Sequence, residues 1–282
     1  MMPQLDEEGA LWHLDLEGET RMRQVVFNRK GGVGKSSIVC NLAAVSAARG
    51  CRTLIVDLDP QANASHYLLG PDASEAKPNL TSFFEELLGF RLLGSESKTW
   101  VHPTPFENLE IIPADRGLAE LQTKLESRYK IYKLRKLLDD LSEFDAVYLD
   151  TPPALNFFTT SALIAAQTCI IPFDCDEFSR RALYQLIGTV REVREDHNPQ
   201  LEVGGVVVNL FQSRAKLPQQ LVEELRAEGL PLLEPFITTS VKMRESHQAH
   251  RPLIDLAPRH KLSQQFEELY DSLQNRQLAA VS

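Results

Sequence analysis

The sequence predicts a three-layer α/β fold with a mostly parallel central sheet and helices on both faces. Three observations carry this expectation. Short, fully apolar runs rich in β-branched residues recur along the chain, separated by segments of helical periodicity. A glycine-rich turn stands between the first such run and the first helix. Two of the runs end in aspartate, where a parallel sheet opens its ligand crevice. At 282 residues, 43% of them hydrophobic and 24% charged, the chain has apolar material for a substantial core.

Residues 1–21 hold six acids (Asp6, Glu7, Glu8, Asp15, Glu17 and Glu19) against Arg21 and read as an N-terminal extension, with Met22 as a candidate natural start. "QVVFN" (24–28) is the first buried strand. "KSSIVCNLAAVSAARG" is a helix with Ile38, Leu42 and Val45 on its apolar face, ended by Gly50. "TLIVDLD" (53–59) is the second strand. Residues 71–108, rich in Pro, Ser, Gly and charge, read as a variable insertion with one short helix capped by Ser82 and Glu85. Helical patterns follow at 115–141, 156–166, 178–195 and 217–228, and strands at 146–150, 168–173 and 203–209. Near the C-terminus Leu262, Phe266, Leu269, Tyr270 and Leu273 form one stripe at helical spacing, which predicts a helix docked on the core. No repeat or low-complexity linker interrupts residues 22–282, so they read as a single domain.

The net charge of −9 argues against a uniformly basic surface but leaves room for a local basic patch. Cys40, Cys51, Cys169 and Cys175 are scattered in apolar runs without a C-x-x-C pair, which fits buried thiols in a reducing cytosol better than a metal or iron–sulfur site. No apolar run approaches the roughly 18 residues of a membrane span, and the acidic N-terminus is not that of a secretory signal.

The chemistry concentrates in "FNRKGGVGKSS", residues 27–37. Gly31, Gly32 and Gly34 bare the backbone so that successive N–H groups converge on phosphate oxygens. Lys35 can reach the β- and γ-phosphates, and the Ser36 hydroxyl can ligate Mg²⁺. The strict pattern has a glycine where Arg29 stands, and Lys30 is a second lysine at the front of the loop. Asp57 and Asp59 follow one strand and Asp150 ends another, positions suited to carboxylates near a metal–nucleotide site.

"KGGVGKSS", "LIVDLDPQANAS", "FDAVYLDTPPALNFFTTSAL" and "GVVVNLF" together resemble the deviant Walker-A ATPases of the ParA/MinD group, most of all the ParA branch. The resemblance runs from about Met22 to the C-terminal helix and implies the P-loop NTPase fold, ATP and Mg²⁺ as cofactors, and a weak intrinsic ATPase. It implies that Lys30, Gly31, Gly32, Val33, Gly34, Lys35, Ser36 and Ser37 line the nucleotide, and that Lys30 crosses to the partner subunit's phosphates in an ATP-sandwiched homodimer. Asp59 matches the aspartate that positions the attacking water, Asp57 and Asp150 hold Mg²⁺ through water, and Asn209 reads adenine or serves as a turn residue. Arg214 and Lys242, with Lys216 and Arg244 beside them, match positions that contact DNA non-specifically, although Thr238-Thr239 replaces the family's Pro-Arg and removes a charge.

These features imply a cytoplasmic, nucleoid-associated protein that positions or segregates DNA or protein cargo and is stimulated by a ParB-like or other cargo-bound partner. A MinD-like membrane-surface ATPase is the alternative, disfavoured because Glu267, Glu268 and Asp271 oppose the C-terminal apolar stripe and would be repelled by anionic lipid. A metabolic or redox ATPase of the same superfamily is the other. "SRYKIYKLRK" (127–136) is a basic run that reads as a solvated helix face, an extension of the DNA patch or a partner contact.

Overall fold

The computed structural model describes residues 22–89, 96–176 and 179–281. The N-terminal extension and residues 90–95 of the expected insertion lie outside them. The strands are β1 (Met22–Val26), β2 (Thr53–Asp57), β3 (His102–Pro103), β4 (Leu109–Ile112), β5 (Ala146–Asp150), β6 (Thr168–Asp174), β7 (Glu202–Asn209) and β8 (Leu232–Leu233). The helices are α1 (Lys35–Ala48), α2 (Asn63–Leu69), α3 (Leu80–Leu88), α4 (Gly117–Ser127), α5 (Lys133–Asp140), α6 (Phe157–Ala165), α7 (Ser179–Asp196), α8 (Lys216–Ala227), α9 (Val241–Ala249), α10 (Leu253–Leu256) and α11 (Lys261–Val281).

The strands form one sheet in the order β3-β4-β2-β5-β1-β6-β7-β8. Every pairing is parallel except that of the β3 edge strand with β4. β1 therefore lies between β5 and β6, with β2 on the far side of β5. The crossover from β1 runs to one side, to β2, and that from its neighbour β5 runs to the other, to β6, which makes the C-terminal ends of β1 and β5 the topological switch point.

Apolar residues cover both faces of the sheet. On one face α1, α2, α10 and α11 bury Ile38, Leu42, Tyr67, Leu253, Phe266 and Leu269 against Val26, Ile55 and Tyr148. On the other, α3 to α8 bury Phe84, Leu118, Leu134, Phe158, Leu183 and Val222 against Val25, Leu54 and Leu149. The predicted C-terminal stripe is consumed in this way, since Leu262, Phe266, Leu269, Tyr270 and Leu273 are all buried.

Two expectations need correction. The short helix of the insertion is capped by Asn79, whose side chain accepts from the Ser82 backbone N–H, so Ser82 is its third residue rather than its cap. Asparagine is a strong cap, and the earlier start brings Leu80, Phe83 and Phe84 onto the buried face. Within residues 71–108, Phe83 stacks edge-on with Phe84 and Trp100 in the core, and β3 extends the sheet. The helix expected over 115–141 is two helices. The stripe of Leu118, Leu121 and Leu125 continues onto Arg128, Tyr129 and Tyr132, none of them buried, and Tyr129 takes a left-handed φ of 52° before Leu134 starts a new apolar face.

Phe266 is 1% exposed and ties α11 to the sheet. Phe266→Ala should destabilise the protein by about 3–5 kcal/mol in reversible denaturant unfolding. A loss below about 1 kcal/mol would mean that α11 is not part of the cooperative core.

Candidate nucleotide site

β1 delivers the chain to the switch point, and Asn28 fixes the loop's entrance. Its Nδ2 donates to the Pro172 carbonyl (2.6 Å) and its Oδ1 accepts from the Lys30 N–H (2.8 Å). Gly32 and Gly34 then adopt φ of 79° and 88°, which side chains rarely tolerate. At Gly34 a Cβ would also lie 2.3 Å from Asn209 Nδ2. That amide donates to the Val33 carbonyl (2.8 Å), so the residue expected to read adenine also braces the loop from the end of β7. Gly34 caps α1 with no side-chain hydrogen bond, which leaves the first-turn amides of α1 directed at the cradle.

Charged side chains are buried beside this cradle. Lys35 is 7% exposed, its Nζ donates to the Lys30 carbonyl (3.2 Å), and no carboxylate of the described residues pairs with it. Burial lowers its pKa, with Asp150 and Asp59 opposing. The sheet register sets Asp57 opposite Asp150 across β2 and β5, and Asp150 opposite Val26 of β1. Asp57 accepts from Ser65 N–H (2.9 Å), Ser65 Oγ (2.7 Å) and Asp59 N–H (3.1 Å). Even so, burial pushes its pKa up to about 6. Asp150 is fully buried and neither oxygen accepts a well-formed hydrogen bond. Burial and then the Asp57 charge hold its pKa well above the carboxylate range, and the approach of the Ser36 hydroxyl only partly offsets this. Asp59, 6% exposed, accepts from the Gln61 N–H (2.9 Å).

Lys30 behaves differently from Lys35. Its side chain is 45% exposed, and its Nζ pairs with Asp174 Oδ2 (2.5 Å) and with Asp176. Those hydrogen bonds raise its pKa. Asp174 ends β6 and sits beside the loop only because β6 neighbours β1. Sequence reading passed over both acids. An aspartate at a strand end was the available signal, as it was for Asp150.

The basic positions expected to meet DNA lie near the β7 edge. Arg214, Lys216 and Arg244 are exposed, and none pairs with a carboxylate among the described residues. Lys242 is held by Glu245 (2.5 Å). The segment between β7 and α8 is joined to the approach to α9 by the Phe211–Thr238 bridge and by Thr239 Oγ1 donating to the Leu210 carbonyl (3.2 Å), so the two basic segments share one edge. Leu210, Leu217 and Val241 are exposed beside them.

Free helical amides, a buried lysine without an acid, and a buried carboxylate with no well-formed hydrogen bond fit one occupant class, a phosphate group with a hard divalent cation. Among the described residues no three His, Cys, Asp or Glu side chains converge to hold a metal by themselves, so phosphate and water oxygens would complete its shell. All four cysteines are free, and Cys40, Cys51 and Cys169 are buried.

The family model AAA_31, described as an AAA domain, matches residues 23–203. Chromosome partitioning protein ParA of Myxococcus xanthus is 34% identical over 233 residues, covering 81% of this chain and 79% of that protein. Chromosome-partitioning ATPase Soj of Treponema pallidum is 32% identical over 233 residues, covering 81% and 87%. A solved cobyrinic acid a,c-diamide synthase from Mycobacterium smegmatis, with bound ADP and magnesium, has a TM-score of 0.77 at 27% identity, covering 92% of this chain and 96% of that one. Apo McdA of Cyanothece, at 21% identity over 91% and 99% of the two chains, shares the fold with a TM-score of 0.76. A glycine cradle at the switch point of a parallel sheet, buried strand-end aspartates and this set of relatives lead to one assignment: the chain belongs to the ParA family of P-loop ATPases.

Proposed function

We propose that this ParA-like positioning ATPase binds Mg²⁺–ATP at the cradle, closes into an ATP-sandwiched homodimer, and in that state holds DNA non-specifically. A cargo-bound activator of ParB-like type would stimulate hydrolysis and release, in the cytoplasm over the nucleoid. The observation that carries this reading is the contrast between the two lysines. Lys35 is buried in its own cradle, whereas Lys30 is exposed at the loop's front and turned away onto Asp174 and Asp176. A lysine outside its own cradle is available to a second subunit's phosphates.

Bound ATP supplies the γ-phosphoryl group and bound Mg²⁺ neutralises its oxygens; the protein's part is positioning and charge. Lys35 and the amides of α1 take the phosphate charge, while Ser36, Asp57 and Asp150 hold the cation directly or through water. Asp59 orients the attacking water. Lys30 adds positive charge only from the partner, which makes nucleotide state and dimerisation one equilibrium. Arg214, Lys216, Lys242 and Arg244 form the DNA-facing edge.

The buried apolar stripe of α11 counts against the membrane-surface alternative, because that face is already packed into the core. No helix among the described residues is long and apolar enough to cross a membrane. A redox role is disfavoured by Cys169, whose thiol is buried in β6 and pushed far up in pKa by that burial.

Two outcomes test this reading. The first follows from the buried carboxylates. For an acid whose folded pKa is raised, stability is greatest where the group is neutral and is lost as pH rises through the folded value. For Asp57 that window runs from its ordinary value near 3.8 to about 6, and for Asp150 it extends higher. Asp150→Asn should therefore gain Tm relative to the nucleotide-free wild type, by a margin that grows from pH 5 to pH 8, while Mg²⁺-dependent hydrolysis falls at least about tenfold. A margin independent of pH would contradict the charge account. The second is co-sedimentation with DNA in ATP and in ADP. ATP-dependent binding should be lost in Lys35→Ala and weakened in Arg214→Glu, with a log–log salt slope smaller by about 0.9 for each phosphate contact removed. Binding to anionic vesicles but not to DNA would overturn the proposal.

A further inference from the structure

Helix α9 carries Lys242 and Arg244 near its start, and its other residues reach back to the nucleotide site. His247 Nε2 and Ser37 Oγ share a hydrogen bond of 3.0 Å. Ser37 lies in the first turn of α1, next to Ser36 and two residues after Lys35, so its hydroxyl belongs to the phosphate end of that helix. The His247 ring stands edge-on to Tyr67 of α2, with centroids 4.7 Å apart at 83°, which restricts its orientation.

One helix turn further in, a second link is built differently. Asn41 Nδ2 donates to Tyr67 Oη (3.2 Å), Tyr67 Oη meets Ser246 Oγ, and Ser246 Oγ donates to the Arg251 carbonyl. Ser246 has one proton and the carbonyl can only accept, so the Tyr67 hydroxyl must donate to Ser246. Asn41 closes the junction by donating to the Ser37 carbonyl (2.8 Å) and accepting from the Leu253 N–H (2.8 Å). Asn41, Tyr67 and Ser246 are buried, and this chain has a fixed direction. The Ser37–His247 bond is solvent-accessible, and its hydroxyl can turn to another acceptor. α2 is itself tied to the metal-side carboxylates through Ser65 and Asp57.

We propose that His247 is a positioning residue of the nucleotide site: it holds the Ser37 hydroxyl, and through that bond α9 senses whether the phosphate cradle is filled. In the His247 tautomer that leaves Nε2 unprotonated, Ser37 donates to it, and a phosphate oxygen at the end of α1 competes for that single hydroxyl proton. Filling the cradle therefore frees or reorients His247, while the Ser246 link keeps α9 anchored. Coupling of this kind is reciprocal, so whatever binds α9 changes nucleotide affinity by the same factor. The assignment of α9 as a DNA-facing helix rests on the function proposed above; the link between Ser37 and α9 does not.

The test uses the full-length chain without nucleotide, at saturating ATP and at saturating ADP, with amide hydrogen exchange read over residues 241–249. In the wild type, exchange in α9 should differ at least about threefold between ATP-bound and nucleotide-free protein, because amide exchange reports local opening of the helix directly. His247→Ala, which no longer competes for the Ser37 hydroxyl, should bind ATP at least as tightly as the wild type, and at saturation its α9 exchange should no longer respond. His247→Gln, which retains a hydrogen-bonding group toward Ser37, should restore most of the response, an outcome that a purely packing role would not give. An α9 response to ATP that is absent in the wild type, or unchanged in His247→Ala, overturns the inference. If DNA binding fails while α9 still responds to ATP through His247, the DNA reading falls and this inference stands.

Discussion

The fully buried Asp150, facing the phosphate loop with no well-formed hydrogen bond to either oxygen, is the constraint on which the rest depends. Burial holds its pKa well above the carboxylate range, so ionising it there costs several kcal/mol that the rest of the protein must supply. Both faces of the sheet are packed, and the register between β2 and β5 leaves Asp57 and Asp150 no route to solvent. The same burial deprives Lys35 of a carboxylate partner. A lysine and a carboxyl stand buried without pairing, and each needs an opposite charge from outside the chain to be held ionised there. Mg²⁺ and phosphate meet both needs together, which explains why the site takes a metal–nucleotide complex rather than either component alone.

Lys30 lies outside that arrangement. Its contacts to Asp174 and Asp176 involve partly exposed groups, where an ion pair contributes only about 0–1 kcal/mol. Such a contact holds the side chain away from its own cradle at little energetic cost, which leaves it free to exchange in the dimer proposed above. In the proposed dimer, the contrast between a deeply committed Lys35 and a lightly held Lys30 would couple one subunit's phosphate site to the other.

Much of this was legible in the chain. Glycines at 32 and 34 and a lysine at 35 have few other uses between a strand and a helix, and the strand-end aspartates followed from apolar runs that stop abruptly. The C-terminal stripe was readable because five large apolar residues repeat at helical spacing. What escaped depended on sheet order or on short elements. Asp174 reaches Lys30 across 144 residues, and His247 reaches Ser37 across 210, with no local pattern to announce either. β3, β4 and β8, of two to four residues, are too short for a period to emerge. The break near Tyr129 was hidden by a leucine pattern that resumes in a new phase after five residues.

The central claim is that Lys30 acts on the other subunit's nucleotide. Mixing two inactive variants, Lys30→Ala and Asp59→Ala, addresses it directly. In a mixed dimer the Lys30→Ala subunit keeps its own Asp59 and receives an intact Lys30 from its partner, so one of the two sites is complete. The account predicts that the mixture hydrolyses ATP at up to about a quarter of the wild-type rate, since half of randomly paired dimers are mixed and each has one working site. A mixture no more active than the sum of its two components would contradict it.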